Sequence, residues 1–239
     1  MQQRAASAPL RAGTVVAIDG PSGSGKSTVA REVARSLGFR YLDTGAMYRA
    51  LTWLALRRGL DLTDAGALTA LAESAELELS TDPDRPGVRV DGTDVTTEIR
   101  SEPVTAAVST TSAVPGVRAE MVRRQREAIR PGDGVVEGRD SGTTVAPDAT
   151  GKVFLTADPA ARAARRGREL AGPALDDAVV AATQEALLRR DTADAGRAAS
   201  PLTQAPDALV VDATDLTADA VVEQVLAAVR AAGAQRGNA

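Results

Sequence analysis

The 239-residue chain has neither cysteine nor histidine. Without cysteine there is no disulfide, no thiolate nucleophile and no cysteine metal site. Without histidine there is no imidazole base, no Ser-His-Asp triad and no histidine-ligated zinc. Aromatics number five (Phe39, Tyr41, Tyr48, Trp53 and Phe154), so the core must be built from Ala, Val and Leu. Five aromatics also offer few stacking faces to single-stranded nucleic acid, and a net charge of −4 argues against a nucleic-acid coat. No apolar run approaches the ~18 residues of a membrane span, and the N-terminus has no signal-peptide apolar core. A cytoplasmic protein with no membrane or nucleic-acid partner is expected. Lysine is scarce too: of the 28 basic residues only Lys26 and Lys152 are lysines. Coding bias explains the arginine excess, but arginine is also the residue for bidentate capture of phosphate, so its placement decides.

What is present is ordinary globular composition, 44% hydrophobic and 25% charged. The length suits one large domain, or one domain carrying an insertion. Residues 1–12 read as a loose tail. TVVAID (14–19) is a short β-branched run, the mark of a buried strand in a parallel sheet. GPSGSGKS follows at once, then a helix through STVAREVARSLG closed by Gly38. FRYLD (39–43) reads as a second strand, and TGAMYRALTWLALRRG as a long helix stopped by Gly59.

Between about 61 and 113 the texture changes. A short helix (64–74) leads into ELELS and GVRVDG, joined by the turn-rich DPDRPG. Period-2 alternation around a Pro/Gly turn predicts an antiparallel hairpin, hence an insertion with its own sheet. The stretch 115–132 predicts a helix that starts at Pro115 and has Pro131-Gly132 beyond its end, GVVEG (134–138) a strand ending in the loop RDSGTTVAPDA, and KVFLTA (152–157) another strand. Asp158 and Pro159 predict the N-cap and first position of an Arg-rich helix. Residues 176–194 read as helix, 208–213 as the last strand, and 217–232 as a helix capped by Thr217. The alternation implies a doubly wound parallel α/β sheet with right-handed crossovers.

Gly20-Pro21-Ser22-Gly23-Ser24-Gly25-Lys26-Ser27 matches G-x-x-x-x-G-K-S/T in full, between a strand and a helix. Successive backbone N–H groups and the helix dipole cradle phosphates there. Lys26 adds a charge for the β- and γ-phosphates, and the Ser27 hydroxyl suits Mg²⁺. Four further clusters carry charge toward the carboxyl ends of the strands, where ligands bind in such sheets. Thr44 places a hydroxyl at a helix N-cap with Arg49 in the second turn. Arg190, Asp194 and Arg197 fall on one helical face, provided the helix survives Gly196. Glu137-Gly138-Arg139-Asp140 leaves a strand end, and Arg162, Arg165 and Arg166 line one side of a helix. A capping threonine, a solvated salt-bridge ladder and a basic surface helix are the plain alternatives. Together, arginines from four elements of an acidic chain suggest a pocket for a second, phosphorylated substrate. A phosphate monoester is largely dianionic at neutral pH and needs no base to become a nucleophile. It needs cations to offset repulsion.

The ordered series IDGPSGSGKS, YLDTGAMYR, TEIRSEPVTAAVS…PGVR, EGRDSGT…PDA and RRDTADAGRAASPL resembles the bacterial cytidylate kinases, of the nucleoside monophosphate kinase group, over residues 14–232. That resemblance implies a P-loop NTPase-type α/β fold with a small α+β substrate-binding insertion and a helical lid. It places a single kinase domain at 13–232, with CORE at 13–69, 113–157 and 176–232, the monophosphate-binding insertion at about 70–112, and LID at about 158–175. Residues 233–239 would be a tail, and no further domain is expected. The implied reaction is ATP-dependent phosphorylation of CMP and dCMP with Mg²⁺, by a monomer. Residues Gly20 to Ser27 and Thr28 would hold ATP, with Ser27 on Mg²⁺. Ser109, Arg118 and Asp140 would contact cytosine, Arg190 and Asp194 the sugar, and Thr44, Tyr48, Arg49, Arg139 and Arg197 the phosphate. Lys26, Arg139, Arg197 and the lid arginines Arg165 and Arg166 would neutralise the transferring group. Ser141 and Ala146 stand where larger apolar side chains are expected. Alternatives are another small-molecule P-loop kinase, against which the cytosine set argues, or a nucleotide-switched binding protein.

Overall fold

The computed structural model describes residues 13–130, 132–172, 176–197 and 201–237. The run VVAID forms β1 (Val15–Asp19), and α1 (Lys26–Leu37) follows the glycine-rich loop. Then come β2 (Arg40–Asp43), α2 (Thr44–Arg57) and α3 (Ala65–Ser74). Next are three short strands, β3 (Leu77–Leu79), β4 (Val88–Val90) and β5 (Thr93–Asp94), with α4 (Glu102–Ala113) and α5 (Pro115–Ile129). The rest is β6 (Gly134–Gly138), β7 (Gly151–Thr156), α6 (Pro159–Ala171), α7 (Asp177–Ala195), β8 (Leu209–Asp212) and α8 (Ala218–Gly237).

The large sheet has order β2-β6-β1-β7-β8, and every pair is parallel. Parallel strands need both faces covered, and Val16, Ala17 and Ile18 of the central β1 are fully buried. One apolar layer joins the sheet to α2 and the insertion through Met47, Leu51, Leu68, Val90, Ile99 and Met121. The other joins it to α1 and α8 through Ile18, Val33, Leu155, Val225 and Val229. Register positions the site. Asp19 lies beside Gly138, and Asp43 beside Glu137, so the glycine loop, the start of α2 and the Arg139-Asp140 turn leave the sheet at one edge. Two glycines are required here. Gly20 has φ +150, and a Cβ would meet the Leu155 carbonyl oxygen at 2.0 Å. A Cβ at Gly138 would lie 2.5 Å from Thr44 Oγ1 and 2.6 Å from Ser141 Oγ.

The insertion sheet is antiparallel with order β3-β4-β5, one strand more than the expected hairpin. Its DPDRPG turn rests on α1: Arg31 Nε donates to the Pro83 carbonyl at 2.8 Å, and Arg35 Nε pairs with Asp84 at 2.5 Å. The Tyr41 amide donates to Thr81 O at 2.8 Å.

Helix α4 is absent from the sequence-based expectation. Val104, Val108, Thr111 and Ser112 face inward, but two of these four are polar, so the apolar periodicity is broken. Its start was signalled by Pro103 in the first turn. The expected tail from 233 continues α8 as far as Gly237, because Ala-rich AAGAQ favours helix. Thr217 does cap α8, its hydroxyl accepting from the Ala220 amide at 3.2 Å. The helix from 115 ends at Ile129, short of the expected Pro131-Gly132 stop, and Asp158 stands at the N-cap of α6 with its carboxylate accepting no helix amide. Residues 1–12 and 238–239 of the expected tails, and 173–175 of the expected lid, lie outside the described residues.

Candidate active site

The glycine loop leaves β1 and delivers α1 with Gly25 at its N-cap, left-handed at φ 93 and with no side chain covering the first amides. Those amides face the loop, as anion binding requires. Lys26 is buried, and its Nζ donates to the Pro21 carbonyl at 2.6 Å. Burial, with Arg139 beside it, pulls the Lys26 ammonium down to about 7. Opposite stands Glu137 at the end of β6, whose carboxyl burial and the nearby Asp43 push up to about 7. The Tyr41 hydroxyl donates to Glu137. Ser22 ties the loop to three elements. Its amide donates to Asp191 Oδ1 at 3.0 Å, its hydroxyl accepts from Arg139 Nη2 at 2.7 Å, and its carbonyl accepts from Arg162 Nη1 at 3.0 Å. Ser27 and Thr28 are exposed on the first turn of α1.

Beyond the loop lies a cluster of arginines. The Asp194 carboxylate is 1% exposed and is shared by three guanidinium groups: Arg139 Nε at 3.0 Å, Arg190 Nε at 4.0 Å, and Arg197 in a close ion pair. One carboxylate does not neutralise three cations. Burial and the surrounding cations, Arg139 and Arg49 first among them, pull Arg190 down to about 9. Arg197 is lowered too, chiefly by burial. Among the described residues, Nε of Arg190 and of Arg197 are enclosed with no hydrogen-bond partner. Arg49 joins this crowd from α2 and falls to about 10, from burial and from the nearby Arg100, Arg166 and Arg139. Its Nη1 donates to Thr105 Oγ1 at 2.9 Å and to the Ile99 carbonyl at 3.3 Å, so the insertion aims it. Helix α7 ends at Ala195, yet Arg197 reaches back past Gly196 to Asp194.

Asp43, not Thr44, is the N-cap of α2: its carboxylate accepts from the Ala46 amide at 2.9 Å. Thr44 is the first helical residue, and its hydroxyl donates to the Glu137 carbonyl at 2.7 Å. A side chain at the N-cap competes better for the first-turn amides than one inside the turn. The Tyr48 hydroxyl is enclosed without a partner, and burial pushes it up to about 12.

Arg118 and Asp140 form a buried ion pair, and the Arg118 guanidinium lies 5.3 Å from the Tyr48 ring centre. Arg118 Nη1 also donates to the Ser112 carbonyl at 3.4 Å. Ser109 stands half-buried on α4, the helix that leads into Arg118. The structure therefore brings Arg118, Asp140 and Tyr48 together, and Ser109 stands on the helix whose Ser112 carbonyl meets Arg118.

The three arginines of α6 share one side of the helix but meet different partners. Arg162 is buried; its Nε donates to the Ala157 carbonyl, and its Nη1 to the Ser22 carbonyl and the Asp191 carboxylate. Arg165 donates to the carbonyls of Ala213 and Thr214. Arg166 pairs with Glu169 at 2.7 Å and lies near Arg49. Spacing of three and four keeps these residues on one side of the helix, and the elements packed against that side give each a different partner. Sequence reasoning passed over four residues here: Asp191, Asp19, Arg100 and Tyr41. Asp191 had a signal in its neighbour Arg190. Asp19 had one in being the single charge of an apolar strand.

A family model described as cytidylate kinase matches residues 16–231. The chain is 52% identical over 214 residues to a cytidylate kinase of Streptomyces avermitilis, covering 89% of this chain and 90% of that one. It is 48% identical over 222 residues to a cytidylate kinase of Mycobacterium avium, covering 92% and 97%. A bifunctional pantoate ligase/cytidylate kinase of a Synechococcus species is 50% identical over 218 residues, covering 89% of this chain and 40% of that protein.

Proposed function

The chain belongs to the cytidylate kinase family, and from that premise we propose that it transfers the γ-phosphoryl group of ATP to CMP, and to dCMP, yielding ADP with CDP or dCDP. The observation that carries this reading is the Asp194 carboxylate shared by three arginines, with the enclosed Nε groups of Arg190 and Arg197 making no hydrogen bond. Such donors call for an anion with several acceptor oxygens. A nucleoside monophosphate is such an anion, with phosphate oxygens for Arg197 and ribose oxygens for Arg190.

An oxygen of the CMP phosphate attacks the γ-phosphorus, and the bond to the β–γ bridging oxygen breaks, leaving with ADP. The acceptor arrives already deprotonated, so no base is called for, and the work is alignment and charge neutralisation. The loop amides and Lys26 bind the ATP phosphates. Arg49, Arg139 and Arg197 hold the acceptor phosphate, with Tyr48 Oη as a further donor, and Arg190 with Asp194 meets the ribose. Arg166 and Arg165 neutralise the group in flight. Arg118, Asp140 and Ser109 read the base: ionised Asp140 accepts only, Arg118 donates only, and serine does either. Cytosine carries an N4 donor and a bare N3, and uracil the reverse.

The Ser27 hydroxyl adjoins the buried Glu137 carboxylate and favours its charged form. Among the described residues no three acidic side chains gather. Two hard oxygen groups suit Mg²⁺, which keeps most of its waters. Bound with ATP, the ion supplies neutralisation of the β- and γ-oxygens. An ATP-coupled assay across CMP, dCMP, UMP and AMP tests the reading. CMP and dCMP should lead clearly; equal turnover of AMP, or none of CMP, overturns it.

A further inference from the structure

After β6 the chain makes one wide turn, Ser141–Val145, with Asp140 at its N-cap. The amides of Thr144 and Val145 return to the Asp140 carbonyl, at 2.8 and 3.3 Å. The first amides of such a turn find no acceptor within it. An aspartate at the N-cap ordinarily folds its own carboxylate back onto them. Asp140 does not: its carboxylate points away to Arg118, and its side chain makes no capping bond.

A different carboxylate takes the two amides. Asp19 Oδ1 accepts from the Ser141 amide at 2.8 Å, and Asp19 Oδ2 from the Gly142 amide at 2.7 Å. Asp19 is the last residue of β1, is 5% exposed, and immediately precedes Gly20 of the phosphate loop. A buried carboxylate is costly unless its oxygens are satisfied, and both are.

We propose that Asp19 is a positioning residue for base selection: by capping the turn in place of Asp140, it releases the Asp140 carboxylate to face Arg118 and the cytosine ring. The inference rests on the assignment of Asp140 and Arg118 to the base. The two uses of Asp140 exclude each other, because one carboxylate does not cap its own turn and reach Arg118 together. Remove the acceptors at position 19, and the orphaned amides draw Asp140 back to the cap. The same contact fixes where the base-reading turn stands against the phosphate loop, since Asp19 belongs to the strand that starts that loop.

The test compares kcat/KM for CMP and UMP in wild type, Asp19→Asn, Asp140→Ala and the double variant. Asparagine keeps the size but turns one acceptor into a donor facing an amide. Leaving such a group unpaired costs enough to predict that the CMP/UMP ratio of Asp19→Asn falls roughly tenfold. KM for CMP should rise while KM for ATP holds. Asp140→Ala should lose the ratio at least as far, and the double variant no further than Asp140→Ala alone. A purely structural role, or an effect passed to Lys26, lowers both substrates together and leaves the ratio intact. An intact ratio in Asp19→Asn beside a lost one in Asp140→Ala overturns the role of Asp19 and spares base reading. An intact ratio in Asp140→Ala overturns base reading, and this proposal with it. Should Asp19→Asn not fold, Asp19→Glu, which keeps the charge but shifts the turn, is measured in the same way; a wild-type ratio there overturns the proposal.

Discussion

Helices α5 and α7 carry arginines in the same grammar and put them to opposite uses. On α5, Arg123 is half-exposed between Glu120 and Glu127, at 2.6 and 2.5 Å. Its own charge is held above the usual range by them, and Glu120 is pulled down to about 2. On α7, Arg190 and Asp194 are likewise four apart, with Arg197 three further on. There burial suppresses the guanidinium charges, with Arg139 and Arg49 adding to it, and the one enclosed carboxylate, Asp194, is shared with Arg139 from the turn after β6. What separates a solvated ladder from an enclosed cation cluster is an arginine arriving from elsewhere in the chain. Spacing along one helix does not contain that information.

The comparison can be broken, most severely at the donor side. Lys26→Met should lower kcat by roughly 10³ while Tm changes little, the loss typical of a group that acts where charge redistributes. Near-normal turnover would remove Lys26 from the chemistry. Arg190→Met should raise KM for CMP and cut kcat/KM by about 10²-fold, a loss of the order expected when a charge-assisted contact to substrate is deleted. The unliganded variant should be at least as stable as wild type, since one mutually repelling cation has gone. A marked fall in Tm would instead make Arg190 a structural partner of Asp194.

A smaller effect is a proton. Lys26 is pulled down to about 7 from an ordinary 10.5. At pH 8 the free enzyme therefore holds Lys26 mostly neutral, and a bound polyphosphate favours its charged form. Nucleotide binding at pH 8 should take up protons, seen in calorimetry as a binding enthalpy that varies with the ionisation enthalpy of the buffer. Release, or no dependence, contradicts that environment. The smallest effect is on α5: Arg123→Ala should leave both Tm and kcat/KM indistinguishable from wild type, because exposed pairs of this kind contribute little. Loss of activity there would erase the distinction between the two helices.

The parallel sheet and the phosphate loop were legible because both are local. TVVAID, three glycines and a lysine occupy one continuous stretch, and their context fixes their geometry. The arginine pocket was legible in its membership and illegible in its pairings. Nothing near Arg162 in sequence says that it turns inward to Asp191 and Ser22, nor that Arg165 turns its Nη2 to the Ala213 and Thr214 carbonyls. These depend on packing between α6, α7 and the loop after β8. Helix α4 escaped because Thr111 and Ser112 occupy buried positions where an apolar stripe is sought. Thr44 was misassigned as a cap because Asp43 was read as the end of a strand, and it is both.

The turn Asp82–Gly87 sits on α1 through Arg31, Arg35 and the Pro83 carbonyl, so the hairpin is bolted to the very helix that the glycine loop begins. For protein engineering this redraws the seam. A graft that exchanges the insertion between relatives at its covalent ends carries away the Pro83 and Asp84 acceptors and leaves two arginines facing an unfamiliar loop. The transplantable unit is the hairpin together with the outer face of α1, and chimaeras cut along that discontinuous boundary should express and turn over where those cut at the chain junctions do not.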